Sequence, residues 1–125
     1  MKKFLPLVPL LILTVSIIGQ PTERINYQAI IRDADNQLVK QQPVSSRISV
    51  LKGSASGAVL YMESHKVTTN ESGLISLDIG GGANTTGSYT SINWGEGIYF
   101  LRTETDPTGG SNYTITGTSQ MLRVP

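Results

Sequence analysis

Cysteine is absent from this chain of 125 residues, and histidine occurs only once, as His65. Without cysteine the protein can form no disulfide, so its stability must come from the burial of apolar side chains. A single histidine cannot form a metal cluster, and a Ser-His-Asp triad could use only this one. The G-x-S-x-G pattern of many hydrolases does not occur either. We therefore predict no enzyme activity, catalytic residue, metal or cofactor, and we expect His65 to be an exposed or hydrogen-bonded strand residue.

Only one long apolar run occurs, at residues 4–18, where it follows two lysines and precedes the small residue Gly19. This order is typical of a secretory signal peptide. A membrane anchor is the alternative, but the run is shorter than the roughly 20 residues of a spanning helix and contains two prolines. We predict a signal peptide at 1–19, a single secreted or surface-exposed domain at 20–125, and no transmembrane segment after signal removal.

Clustered positive charge is also missing. Ten Lys and Arg residues stand against nine Asp and Glu residues, and Lys2 and Lys3 belong to the predicted signal peptide. Eight basic residues then face nine acidic ones, which gives the exported chain a net charge of about −1. Nucleic acids and anionic membranes both require clustered basic side chains. We therefore predict that neither is a partner of this protein.

Helical periodicity is nearly absent, whereas β-branched and aromatic residues alternate with polar ones between Gly, Pro, Asn and Asp clusters. About seven short strands in roughly one hundred residues favour an all-β, antiparallel two-sheet sandwich of the Ig-like or transthyretin-like Greek-key type, with a small β-barrel as the alternative. An antibody-type domain is not indicated, because its Cys…Trp…Cys frame is missing. The predicted strands span 25–32, 38–39, 44–52, 58–69, 74–80 and 98–106, with last pieces at 113–116 and 120–124.

The alternating apolar positions of these strands are predicted to face one core. They are Ile25, Tyr27, Ala29, Ile31, Val44, Ile48, Val50, Val59, Tyr61, Val67, Ile75, Leu77 and Ile79. Three turns are predicted between strands from Asx, Pro and Gly chemistry. Residues 33–37 form a turn built by Asp and Asn, residues 70–73 form a hairpin turn with Gly73 at positive φ, and Asp106 caps the turn at 106–110.

A calcium site is one possible interpretation of the turn at 33–37, which contains two aspartates and an asparagine. The EF-hand pattern would require glycine at position 38 and glutamate at position 44, where this chain has Leu38 and Val44. That pattern therefore fails. A looser calcium site in this turn remains open beside the simpler interpretation of an Asx turn.

The long connection at 80–97 carries the candidate binding residues Tyr89 and Trp94. With Tyr99 they could form a sugar-stacking platform, but a buried aromatic plug is favoured because a disulfide-free sandwich needs large apolar side chains. The glycines at 80–82 lack the Lys-Ser/Thr of a phosphate loop and predict a flexible connection. Together with the loop at 106–113, which holds Tyr113, this connection is the candidate binding surface.

Several segments, in order along the chain, together resemble a known module. They are INYQAIIRD, VTTNESG, WGEGIYFL, DPTGGSNY and GTSQMLRVP. The pattern is similar to the N-terminal module common in exported proteins of Bacteroidota bacteria, in which phenylalanine is usual where Ile25 stands and the chain usually continues past the position of Pro125. The resemblance implies a β-sandwich that precedes stalks or further domains of cell-surface proteins, and it implies no catalytic residues.

These observations lead to one functional expectation. The chain is predicted to be a non-enzymatic structural or adhesion module, secreted or on the cell surface, and the N-terminal domain of a larger surface protein. A carbohydrate-binding module is the alternative. The expected partners are another protein or a surface polysaccharide.

Overall fold

A computed structural model describes residues 24–121 of the chain. The predicted signal peptide at 1–19 and the predicted strand residues 122–124 lie outside this range. Within the range, no α-helix occurs, and no helix is long and apolar enough to cross a membrane. The strands are β1 (Ile25–Ile30), β2 (Pro43–Lys52), β3 (Ala58–Thr68), β4 (Leu74–Ile79), β5 (Ala83–Gly87), β6 (Tyr99–Asp106) and β7 (Ile115–Met121). Two short 3₁₀ turns, Tyr89–Ser91 and Trp94–Glu96, lie between β5 and β6.

The seven strands form two antiparallel sheets. One sheet has the order β5-β3-β2-β6-β7, and the other pairs β1 with β4. The predicted all-β two-sheet sandwich is therefore confirmed, and the barrel alternative is wrong because the strands do not close into a ring. In the larger sheet β2 is the central strand, with β3 on one side and β6 on the other.

The core lies between the two sheets. Alternate residues of β2, among them Val44, Ile48 and Val50, are buried against the apolar face of the smaller sheet. That face carries the buried side chains of β4, with Leu77 at its centre, and the half-buried alternate residues of β1. The period-2 pattern of the sequence predicts these faces correctly because alternate side chains of each strand point toward the opposite sheet.

The prediction of a core position is wrong for one residue, Val59. Val59 is 43% exposed, although it lies two positions before the buried Tyr61. The pairing of β2 with β3 shifts between Val50 and Leu51, so that Tyr61 pairs with Val50 while Val59 pairs with Leu51. This bulge places one extra residue, Leu60, in β3 and turns Val59 to the opposite face of the sheet. Strict alternation could not anticipate the bulge.

The turn at 70–73 is also different from its prediction. Gly73 has the expected positive φ of 78°, and the Oδ1 atom of Asn70 accepts hydrogen bonds from the backbone N–H groups of Ser72 and Leu74. However, β3 and β4 belong to different sheets, so the turn crosses the sandwich and is not a hairpin. The Asn and Gly residues of this turn are compatible both with a hairpin and with a crossing between sheets. The pairing of β4 with β1 decides for the crossing.

The sequence pattern missed one strand, β5, and divided another, β7, into two pieces. Strand β5 lies inside the connection predicted as irregular, because its sequence ANTTG is polar and every residue is exposed at the sheet edge. Strand β7 continues through Gly117, where the sequence predicted an interruption, because Gly117 pairs with Thr103 in an unbroken register. Both are edge strands, whose outer rows bury little and so leave no apolar alternation to detect.

Candidate functional site

A fully buried carboxylate lies under the connection between β4 and β5. Glu63 of β3 is 0% exposed, and its Oε1 atom accepts hydrogen bonds from the hydroxyl of Tyr61 at 2.5 Å and from the backbone N–H of Gly80 at 2.9 Å. Its other oxygen is hydrogen-bonded to Nε2 of His65. Because Tyr61, Glu63 and His65 are alternate residues of one strand, all three side chains reach the same face.

The glycines at 80–82 are closely packed over this cluster. A side-chain carbon at Gly82 would lie 2.8 Å from both the carboxyl carbon of Glu63 and Nε2 of His65. At Gly80, whose φ is 103°, the same carbon would lie 2.7 Å from the ring of Tyr89. Glycine is therefore required in this stretch by close approach and, at Gly80, by positive φ, which the sequence interpretation of a flexible connection did not include.

The cluster is an anchor for the connection above it. Burial, and in second place the hydrogen bond to Glu63, raise the pKa of Tyr61, so its hydroxyl stays protonated and keeps donating. Both oxygens of the carboxylate are engaged by groups of the chain itself. His65 is thus a hydrogen-bonded strand histidine, one of the two environments predicted for it. Within residues 24–121 there is no group of three or more metal-ligating side chains that could hold an ion.

An aromatic row continues from this anchor into the core. The ring centroids of Tyr61 and Tyr89 are 5.3 Å apart, those of Tyr89 and Trp94 are 5.9 Å apart, and those of Trp94 and Tyr99 are 5.2 Å apart. All are tilted or edge-on contacts, which aromatic quadrupoles favour. The hydroxyl of Tyr99 donates to the carbonyl oxygen of Asn93 at 2.7 Å. Tyr89 is buried and Trp94 half-buried in the core cluster, as expected for an aromatic plug.

The third candidate residue, Tyr113, lies apart from the other two. The guanidinium carbon of Arg47 is 4.4 Å from the centroid of its ring. Arg47 alternates with the core residues of β2 and so projects from the outer face of the larger sheet, where it donates two hydrogen bonds to Glu104 at 2.9 and 3.1 Å. The predicted binding residues therefore do not converge on one surface.

We expect the ion pair on this outer face to make stability dependent on acid pH. The hydrogen bond from Arg47 lowers the pKa of Glu104, so the folded chain binds this proton more weakly than the unfolded chain does. The stabilisation is complete above about pH 4.3, the ordinary value for glutamate, and is lost as the pH falls through the lowered value. Urea unfolding of Arg47→Met between pH 6 and pH 2.5 should show a flatter loss of stability than the unsubstituted protein. An equal slope in both proteins would show that the pair contributes nothing.

The two aspartate turns are built as their Asx chemistry predicts. Asp33 accepts backbone hydrogen bonds from Asp35 and Gln37, both at 2.9 Å, and Asn36 has a positive φ of 63°. Asp106 caps the second turn: hydrogen bonds from the side chain of Thr108 and then from backbone N–H groups lower the pKa of Asp106. Each turn is therefore accounted for by hydrogen bonds within the chain.

Beside the anchor lies an open depression of about 460 Å³. Its walls combine one guanidinium, two tyrosines, several hydroxyl groups and glycine backbone; the lining residues are Arg24, Tyr61, Gly80, Thr85, Gly87, Ser88, Tyr89 and Thr90. The hydroxyl groups of Ser88 and Thr90 are 3.2 Å apart, and Ser91 donates to Ser88 at 3.0 Å. Of the predicted binding residues, only Tyr89 borders this depression.

Sequence analysis missed the other residues of this depression for identifiable reasons. Arg24 is separated from Thr85 and Thr90 by some sixty positions, and no spacing motif links them. They meet because β5 pairs with β3 and because the connection at 80–82 folds close to the guanidinium. The one signal available in the sequence is the concentration of Thr, Ser and Gly between 80 and 91.

A protein family described as a domain of unknown function, DUF8740, matches residues 26–119, which include nearly all of the two sheets and the depression. Neither a curated protein nor a solved structure gave a match to the chain.

Proposed function

The chain belongs to the DUF8740 family, and we propose that it is a non-enzymatic adhesion module. In this proposal it is exported through its N-terminal signal peptide and forms the N-terminal domain of a larger cell-surface protein, where it binds another protein or a surface polysaccharide. The basic and apolar leader of the sequence and the resemblance to surface modules support export and display.

The observation that carries the proposed adhesion is the fixed geometry of the depression. Its rim, which follows β4, is held from below by the hydrogen bond from Gly80 to the buried carboxylate of Glu63. It is held from the side by Tyr89, whose ring lies between Tyr61 and Trp94. A site whose walls are already ordered loses less conformational entropy on binding, which favours affinity. The depression is therefore suited to recognition of an external molecule.

Carbohydrate binding is the second candidate function, and the lining of the depression favours it. Threonine and serine hydroxyl groups both donate and accept hydrogen bonds, as sugar hydroxyl groups do. Tyr61 and Tyr89, which are 3% and 7% exposed, form an apolar floor beside them. The same depression thus serves either as the adhesive surface of a structural module or as the site of a carbohydrate-binding module.

A paired set of variants tests the proposal. Thr85→Val/Thr90→Val removes two hydroxyl groups from the depression, and Thr116→Val/Thr118→Val removes two exposed hydroxyl groups from β7 as the control. Beads coated with each purified protein would be assayed for binding to cell surfaces and immobilised polysaccharides. We expect binding by the first variant to weaken by about tenfold, which corresponds to about 1.4 kcal/mol, with binding by the control unchanged.

Two results would contradict the proposal. Equal binding by both variants, with unchanged unfolding midpoints, would exclude the depression as the adhesive surface. Release of soluble products from a polysaccharide during incubation with the pure protein would show an enzyme rather than an adhesion module.

A further inference from the structure

Among the described residues that line the depression, one side chain is charged, that of Arg24. Its guanidinium lies against the backbone of the glycine connection, since a side-chain carbon at Gly81 would be 2.9 Å from Nη1 and 3.1 Å from Cζ. Within residues 24–121 no carboxylate lies within ion-pair distance of this guanidinium; the ion pairs there involve Arg47, Arg102 and His65. Arg24 therefore brings to the rim of the site a positive charge that no carboxylate of residues 24–121 pairs with.

A buried carboxylate beneath this region, Glu63, forms no ion pair with Arg24. Glu63 is fully buried, and its two oxygens are occupied by Tyr61, Gly80 and His65. An anionic ligand in the depression would thus face a guanidinium and hydroxyl groups, and no carboxylate lines the wall among residues 24–121.

The remaining wall is suited to a sugar rather than to a simple anion. Thr85, Ser88 and Thr90 offer hydroxyl groups along one side, and the largely buried rings of Tyr61 and Tyr89 form the floor. The volume of about 460 Å³ lies within the range of small-molecule sites, which is roughly 300–1,000 Å³. Guanidinium groups bind carboxylates with paired N–H donors, so one arginine is enough to select an acidic sugar.

We propose that this depression binds a carboxylate-bearing sugar unit, a uronic acid of an acidic polysaccharide, with Arg24 contacting the carboxylate and the hydroxyl side chains contacting the ring. This inference rests on the proposed adhesive role of the same depression and specifies the ligand. An acidic peptide is disfavoured as the ligand, because one cation and a hydroxyl-lined wall match a single charge on a polyhydroxylated ring better than a run of carboxylates.

Calorimetric titration with a uronic-acid oligosaccharide and with its methyl ester tests the inference, because the ester keeps the ring and removes the charge. We expect the acid to bind at least about tenfold more tightly than the ester, and binding of the acid to weaken as salt increases. Arg24→Gln should lose about tenfold in affinity for the acid, whereas Arg32→Gln, an exposed arginine outside the depression, should bind the acid normally.

The other outcomes separate failure of the inference from failure of the adhesive role. Equal affinity for acid and ester would overturn the selection of an anion and leave a neutral glycan site. Binding of poly-glutamate but not of the oligosaccharide would overturn the sugar in favour of an acidic peptide. If neither ligand binds while coated beads still adhere to cells, the uronic-acid inference is wrong and the adhesive role stands.

Discussion

Glu63→Ala is expected to lower the free energy of unfolding by about 3–5 kcal/mol, the usual cost of removing one partner from a buried hydrogen-bonded charge cluster. The substitution leaves the hydroxyl of Tyr61, the N–H of Gly80 and Nε2 of His65 without their acceptor, in a site that Glu63 occupies with 0% exposure. Each buried donor that loses its acceptor costs further desolvation free energy. Urea unfolding followed by tryptophan fluorescence would measure the loss.

Two matched variants make this result specific. Glu71→Ala removes the same side chain from an exposed position in the turn after β3 and should change stability by no more than about 0.5 kcal/mol. Glu63→Gln keeps the shape and one acceptor oxygen, so its loss should fall between the two alanine variants. If Glu63→Ala and Glu71→Ala unfold at the same urea concentration, the buried cluster does not anchor the connection above it.

The position of Glu63 also shows how much of the buried cluster the sequence pattern predicts. Tyr61 and Val67 were predicted to face the core, and Glu63 and His65 lie at the alternate positions between them. Period-2 alternation alone therefore places the carboxylate and the imidazole inward. Their polarity argues for the surface, since an unpaired buried carboxylate is costly. The conflict is resolved by donors from Tyr61 and Gly80, and Gly80 belongs to a segment far along the chain whose position no local pattern predicts.

The fold and the depression differ in how far the local sequence pattern determines them. The inward faces of β1, β2 and β4 follow from alternation, because alternate side chains of each strand point toward the opposite sheet. The depression depends instead on the pairing of β5 with β3, and β5 is a polar edge strand with no apolar row. Residues such as Arg24 and Thr85 consequently meet only in the folded chain. The aromatic character of Tyr89 identified one wall of the depression from the sequence. The charged residue of the depression, Arg24, was not identified.

A second large effect is expected from Tyr89→Ala, which should lower the free energy of unfolding by about 3–5 kcal/mol, the typical cost of truncating a large aromatic side chain in a core. Tyr89 is only 7% exposed, and its ring packs against Tyr61 and Trp94. Gly80 also lies close against the same ring, so the truncation removes that packing contact as well. Thermal unfolding should therefore shift downward by about 12 °C or more.

Tyr113→Ala is the matched control, since it truncates the same residue type at a half-buried position where the main ring contact is with Arg47. An exposed cation–π contact is worth only about 0.5–1 kcal/mol, so the loss should be several times smaller than for Tyr89→Ala.

Tyr89→Phe retains the ring and should keep most of the stability and the binding of the depression. If Tyr89→Ala instead weakened ligand binding while leaving unfolding unchanged, the ring would be an exposed sugar platform and the aromatic plug would be wrong. Because the ring is both a wall of the depression and part of the core, we expect stability and binding to fall together.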